Sequence, residues 1–379
     1  MNPTRPFCLL SGICILLLIA GCGGKADGPD LGNWPLTTDR LTLTEDLRVS
    51  ETEDFYFGSV SDLAITREGH IVLADREANN LKVLRPDGSL LDTLGGSGEG
   101  PGEFEQLASV QVARGDSMFA YDVRRSRLTV WPPLPSPEVA RTVTFPRGKS
   151  FAVQMWTLDD GFVVKFTQPA PNPEEEVSRR SPWLWRRVND AGTPQDTLLH
   201  GPGVKTAIVG QNGGLRVRTV PFARRTITAL GPGDVLYHGW TDSVTVRTRA
   251  LDEPSTTAAS IPTDPVPLTE AARDSAVRDV SDEMRSVVAS GLPGTKPAFT
   301  DLLVSDAQHL WVKRPPEGPD VDMAPWWILN LEEQTIREAQ LPRKVDLEVV
   351  QNGQAYGTTT TDTGAPAVVR YRVRTDNEA

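Results

Sequence analysis

From residue 38 onward the chain is a succession of short apolar runs, broken at close intervals by Gly, Pro, Asp and Asn. Helical periodicity is almost absent, and the runs are of strand length and composition. One pattern recurs: an apolar strand, a tight turn and a second strand. It reads LAITREGHIVLAD at 63–75, SVQVARGDSMFAYD at 109–122, VQMWTLDDGFVVKF at 153–166, ITALGPGDVLYHG at 227–239, LLVSDAQHLWVKR at 302–314 and LEVVQNGQAYGT at 347–358. The turn residues are Gly69, Gly115, Gly161, Gly233, Gln308 and Gly353, spaced 46, 46, 72, 75 and 45 residues apart. Three spacings agree within one residue, and the other two carry insertions. A period near 45 residues marks the blades of a propeller.

Each unit continues as a blade requires. After GHIVLAD comes NLKVLRPDGSLLDTLG (80–95), which supplies a third strand, the turn Pro86-Asp87-Gly88 and a fourth strand. Six units predict an all-β, six-bladed β-propeller of four-stranded antiparallel blades. The last unit has room for three strands only. The segment LTLTEDLRVS (41–50) is expected to provide its outer strand and to close the ring by pairing the two ends of the chain. One helical insertion interrupts the pattern. Residues 268–289 place Val277, Val280, Met284 and Val287/Val288 on one stripe, with Thr269 as cap, and predict a helix lying across the blades as a partial lid.

The first 21 residues are an address, not part of the fold. Arg5 precedes the apolar run Phe7 to Ala20, which is shorter than the ~20 residues a membrane span needs. The run ends Ile19-Ala20-Gly21-Cys22, which resembles the lipobox of bacterial lipoprotein signal peptides. That resemblance implies removal of residues 1–21 and lipidation of Cys22, with residues 22–37 as lipidated cysteine and flexible tether and residues 38–375 as the propeller. Of the three cysteines, Cys8 and Cys14 fall in the signal peptide, so the mature chain can form no internal disulfide. Gly23 after the cysteine favours the outer membrane by analogy with enterobacterial sorting.

Net charge adds an exclusion. With 50 acidic and 39 basic residues the chain carries a formal charge of −11, which argues against nucleic acid and anionic membrane surfaces as partners. The stretch GGSGEGPGEF (95–104) could be mistaken for a phosphate loop. It has Pro101 where a dinucleotide fingerprint needs glycine, no basic residue, and Glu99 and Glu103 that would repel a phosphate. Its place between the outer strand of blade one and the inner strand of blade two gives it a structural role, with Phe104 inserted between blades. The blade wording resembles the NHL-type six-bladed β-propellers, and Gly96 to Phe104 resembles the G-x-G-x-G-P-G-E-F segment of a bacterial lipoprotein subgroup. The resemblance covers nearly all of 38–375 and implies this fold without implying one activity.

Candidate chemistry follows from the blade geometry. All the long segments (95–104, 167–183, 200–221, 262–298 and 314–326) fall on one face of the ring, while the turns on the other face are tight. That asymmetry points to a binding face for a protein, peptide or glycan, with Trp183, Trp240 and Trp326 as candidate contacts beside Trp185 and Trp327. Seven residues before each turn stand Asp62, Ala108, Gln154, Thr226, Asp301 and Asp346, which should ring the channel mouth. The three aspartates could bind a hard cation such as Ca²⁺ and support a metal-dependent hydrolase or lactonase. Arg224 and Arg225 could instead pair with them. His70 and His309 occupy equivalent positions after turns, and no histidine pair has zinc-ligand spacing. No nucleophile motif appears. The expectation is therefore a monomeric, lipid-anchored binding propeller with no cofactor, Ca²⁺ being the alternative.

Overall fold

The computed structural model describes residues 34–375, apart from 52–54, 136–137, 149, 168–176, 212–213, 317 and 319–320. The signal peptide, Cys22 and the tether through Asn33 lie outside the described residues. No described helix is long and apolar enough to cross a membrane.

Strand pairing gives the six blades in chain order. Blade one runs Val60–Ile65, Ile71–Asp75, Asn80–Leu84 and Leu90–Leu94; blade two runs Leu107–Val112, Met118–Asp122, Arg127–Trp131 and Arg141–Thr144. Blade four comprises Thr226–Gly231, Val235–Trp240, Val244–Arg249 and Thr256–Ile261. Blade five comprises Asp301–Val304, Leu310–Lys313, Met323–Asn330 and Thr335–Pro342. Blade six has Asp346–Gln351, Gln354–Thr360 and Pro366–Thr375, and its outer strand is Leu36–Val49, antiparallel to Pro366–Thr375 from Leu41↔Thr375 to Val49↔Val368. The same strand starts earlier than LTLTEDLRVS suggests, and its first residues pair in parallel with blade five at Leu36↔Ile336 and Leu41↔Ala339. Asp46 on this strand accepts from Arg370 Nε (2.8 Å) and Arg372 Nε (2.7 Å).

Every inner strand reverses through a residue of positive φ. Gly69, Gly161, Gly233, Gln308 and Gly353 take that conformation, and in blade two Asp116 does so rather than Gly115. The turns close on themselves: Gly69 N donates to Thr66 O, Asp116 N to Ala113 O and Gln308 N to Ser305 O. His70 N donates to Thr66 Oγ1 and His309 N to Ser305 Oγ, so the two equivalent histidines belong to matching turns.

The cores lie between blades. Separate buried clusters join blades one and two, two and three, three and four, four and five, five and six, and six and one. Phe104 is fully buried in the first of these, 6.0 Å from the Trp131 ring. The glycine-rich stretch makes that insertion possible. Gly95 has φ +81, and a Cβ there would stand 2.5 Å from the carbonyl oxygen of Gly102. Arg127 donates to the carbonyls of Glu99, Gly100 and Glu103, so the loop is clasped by protein.

Blade three departs from the expected four strands. It has five: Phe151–Leu158, Gly161–Thr167, Val177–Val188, Pro194–Gln211 and Gly214–Thr219. Residues 200–221, expected to be an irregular loop, are mostly strand, and the 12- and 18-residue strands project as a long hairpin. The helical insertion also differs. It forms two short helices, α1 (Glu270–Ala276) and α2 (Asp282–Gly291), separated where Val277 caps the first and Ser281 begins the second. Thr269 caps α1 by accepting from Ala272 N. Val280, Met284, Val287 and Val288 pack against Ala207, Val209 and Val220 of the blade-three extension. The apolar stripe is consumed by that hairpin.

Candidate functional site

Two neighbouring sites occupy the axis and the long-loop face. The first is the central channel, a cavity of about 330 Å³ lined by all six inner strands. Asp62, Gln154 and Asp301 line it as expected, joined by Glu348. Asp62 accepts from its neighbour Leu63 N (2.9 Å) and, across the blade boundary, from Val110 N (3.0 Å). Asp301 accepts from Leu302 N (2.8 Å). Gln154 Oε1 accepts from Lys165 Nζ (2.6 Å). Asp346 stands at the rim, exposed and 3.5 Å from Lys313 Nζ.

Burial governs the charges of this channel. Enclosure by protein raises the Asp62, Asp301 and Glu348 carboxyls above their ordinary range, and Glu348 is raised further by the negative charges of Asp62, Asp301 and Asp346. Burial, with the repulsion of Arg225, lowers Lys165 to about 8. Burial and mutual repulsion thus act in one direction on all three carboxyls, toward the neutral form. Among the described residues no three His, Cys, Asp or Glu side chains converge to hold a metal ion.

The second site is a cavity of about 390 Å³ on the long-loop face, beside the channel mouth. Lys205, Arg225, Lys296, Lys313, Arg314 and Arg343 line it, and among the described residues no Asp or Glu does. Arg225, expected at the channel mouth, lines this cavity while its charge acts on Lys165 and Asp301 of the channel, and its Nη2 donates to Thr300 O (3.1 Å). Lys205 Nζ donates to Gly291 O (2.9 Å), Lys296 Nζ to Pro316 O (2.6 Å), and Arg314 Nη1 to Ala298 O. Arg314 also stacks 4.3 Å from the Trp327 ring centroid. Burial lowers both Lys296 and Arg314, and Arg343 lowers Lys296 further. Phe222, on the cavity wall, has φ 58, a left-handed backbone that costs a bulky residue about 1–3 kcal/mol and occurs preferentially at functional sites.

The tryptophans divide. Trp183 is half-buried, with Lys165 Nζ 4.4 Å from its ring centroid and Trp185 edge-on at 5.9 Å. Trp240 is half-buried beneath Arg180, 5.0 Å away. Trp326 corrects the sequence expectation: it is fully buried, packed against Trp311 between blades five and six, and cannot contact a ligand. It lies on the third strand of blade five, with its side chain turned into the core. His238 is equally structural, its Nε2 3.1 Å from Ser255 Oγ, lowered to about 4 by burial and by Arg247 and Arg249.

Sequence reasoning missed Glu348 and five of the six cations. Glu348 is the unpaired residue of a bulge between Leu347 and Val349, which breaks the alternation that would have placed it. The cations come from separate segments and share no motif. Their one signal was position: Lys205, Lys296 and Arg314 fall within the long segments 200–221, 262–298 and 314–326.

Comparison with known proteins agrees on the fold. A family model described as "6-bladed beta-propeller" matches residues 47–132. The structure of BF0058 from Bacteroides fragilis NCTC 9343, inferred to be exported, is 11% identical, covers 91% of this chain and 99% of its own, and has a TM-score of 0.54. A member of the duf4221 family from Bacteroides vulgatus ATCC 8482 is 9% identical over 89% of this chain and 99% of its own, with a TM-score of 0.50. A streptogramin B lyase, 10% identical over 87% and 97%, gives 0.45. No curated protein sequence matches. At these identities the likeness is of architecture, and the chain is a six-bladed β-propeller.

Proposed function

We propose that this chain is a lipid-anchored, non-catalytic binding propeller of the cell envelope, whose long-loop face holds its ligand. The ligand is a protein, peptide or glycan, and the cavity beside the channel mouth takes one chemical group of it. The observation that carries this reading is the unequal build of the two faces. On one, short turns close on themselves and are stitched blade to blade, as where Arg67 N donates to Asp116 Oδ1 and Asn352 N to Asp306 Oδ2. On the other, segments from blades three, four and five converge around a cavity of about 390 Å³, within the size range of ligand pockets. The envelope address rests on Ala20-Gly21-Cys22 and on the resemblance to propeller lipoproteins.

Photo-crosslinking residues installed at Val321 and Met323 on the long-loop face, and at Glu68 and Asp160 on the turn face, test this in intact cells. Discrete adducts from the first pair alone are expected. Adducts from the turn face alone, or equally from both faces, would overturn it.

A further inference from the structure

We infer that the long-loop-face cavity binds an organic oxyanion: a carboxylate or phosphate head carried on an apolar body. The inference rests on the binding reading above and names the chemistry of the group that enters. Four observations support it. First, the charge is local and opposed to the whole: a chain of net charge −11 places six cationic side chains around one cavity and, among the described residues, no carboxylate on its wall. Second, Lys205, Arg225, Lys296 and Arg314 donate to carbonyl oxygens, which orient a cation without neutralising it. Lys313 has a carboxylate partner, Asp346, at 3.5 Å on the side of the channel rim. Third, the cations repel one another, as the lowering of Lys296 by Arg343 records, so an anion placed among them relieves a cost already present. Fourth, much of the remaining wall is apolar: Phe222, Pro297, Phe299 and Pro316 line the same space beside three threonines, and Phe222 is held there in a left-handed conformation. Arginine forks suit planar or tetrahedral oxyanions, and the apolar wall suits the body that carries them.

Calorimetric titration of the full chain in non-ionic detergent tests this with three probes of similar body: phenyl phosphate, benzoate and benzyl alcohol. Binding of at least one anion with no detectable binding of the alcohol is expected, and the preferred head distinguishes a phosphate source from a carboxylate source. Arg343→Gln should weaken the preferred anion at least fivefold, and Arg343→Glu should abolish its binding. Lys296→Gln should act like Arg343→Gln. Lys296 is buried, so the more exposed Arg343 decides the matter if the Lys296 variant fails to fold. The inference is overturned if neither anion binds at millimolar concentration, if benzyl alcohol binds as tightly, or if Arg343→Glu leaves affinity unchanged. Loss of anion binding with adducts retained at Val321 and Met323 would remove the oxyanion and leave the binding face. Anion binding without those adducts would do the reverse.

Discussion

The acidic channel and the cationic cavity lie side by side, separated by little more than Lys313 and Arg225, yet they handle buried charge in opposite ways. In the channel, Asp62, Asp301 and Glu348 face one another, and proximity with burial drives them toward protonation. In the cavity, arginines cannot shed their protons and lysines do so reluctantly, so the charge remains and is steered by carbonyl oxygens. One site answers crowding by a shift toward neutral carboxyls; the other keeps its charge. On the reading proposed above, the cavity and not the carboxylates is the ligand site, although the carboxylates are the more visible feature of the sequence.

Experiments can break or sharpen that contrast. The largest effect belongs to the support the two sites share. Trp326 is fully buried beneath Lys313, whose Nζ lies 5.6 Å from its ring centroid. Trp326→Ala should cost about 3–5 kcal/mol in denaturant unfolding and weaken both sites together. A loss below about 1 kcal/mol would return this residue to the surface role its sequence context suggested.

Next comes the separation of binding from stability. Arg343→Gln should weaken oxyanion binding at least fivefold while moving the melting temperature by no more than about 2 °C, since Arg343 is exposed and serves no core. The channel should show the reverse. Glu348 has its carboxyl raised in the folded state, so its contribution to stability is complete below its ordinary value of 4.5 and is lost as pH rises toward the raised one. Glu348→Gln should therefore raise the melting temperature at pH 8 and leave it unchanged at pH 4, with no effect on oxyanion affinity. An equal gain at both pH values would show that the carboxyl is not titrating in that window.

Smaller effects complete the comparison. Raising salt from about 0.05 to 0.5 M should weaken oxyanion binding several-fold through screening while leaving the channel's pH response in place. Chelation with EDTA should leave the melting curve unchanged. A bound ion at 100 times its dissociation constant would add about 2.7 kcal/mol, so a fall on chelation reversed by Ca²⁺ would restore the metal reading of Asp62, Asp301 and Asp346.

Repetition made the fold legible. Each inner strand, its left-handed turn and its partner recur at a period that only a blade satisfies, and the insertion of Phe104 could be read from the glycines around it. Blade three was obscured by its own composition. Gly201, Pro202, Gly203 and Gly210 read as loop, yet the apolar run Ala207-Ile208-Val209 and the alternation Leu215-Arg216-Val217-Arg218 belong to paired strands. The stripe of 277–288 was correctly apolar, but its partner was that unrecognised hairpin. At the sites, residues set by blade register were placed well, as with Asp62, Gln154 and Asp301. Residues that depend on a bulge, as with Glu348, or on convergence of distant segments, as with Lys205 and Arg343, left no local pattern to read.

The strand Leu36–Val49 has a consequence in time. Its partner, Pro366–Thr375, lies more than 300 residues away, as the |i−j| of 324 between Asp46 and Arg370 shows. At about 5–20 residues per second, synthesis separates the two by roughly 15–65 s. Throughout that interval the first strand to be made is an open edge, with Leu41, Leu43 and Leu47 lacking the partners they pack against in blade six. The ring is thus fastened by its earliest and latest residues, and a chain stopped short of residue 366 would carry four finished joints and leave both joints of blade six incomplete.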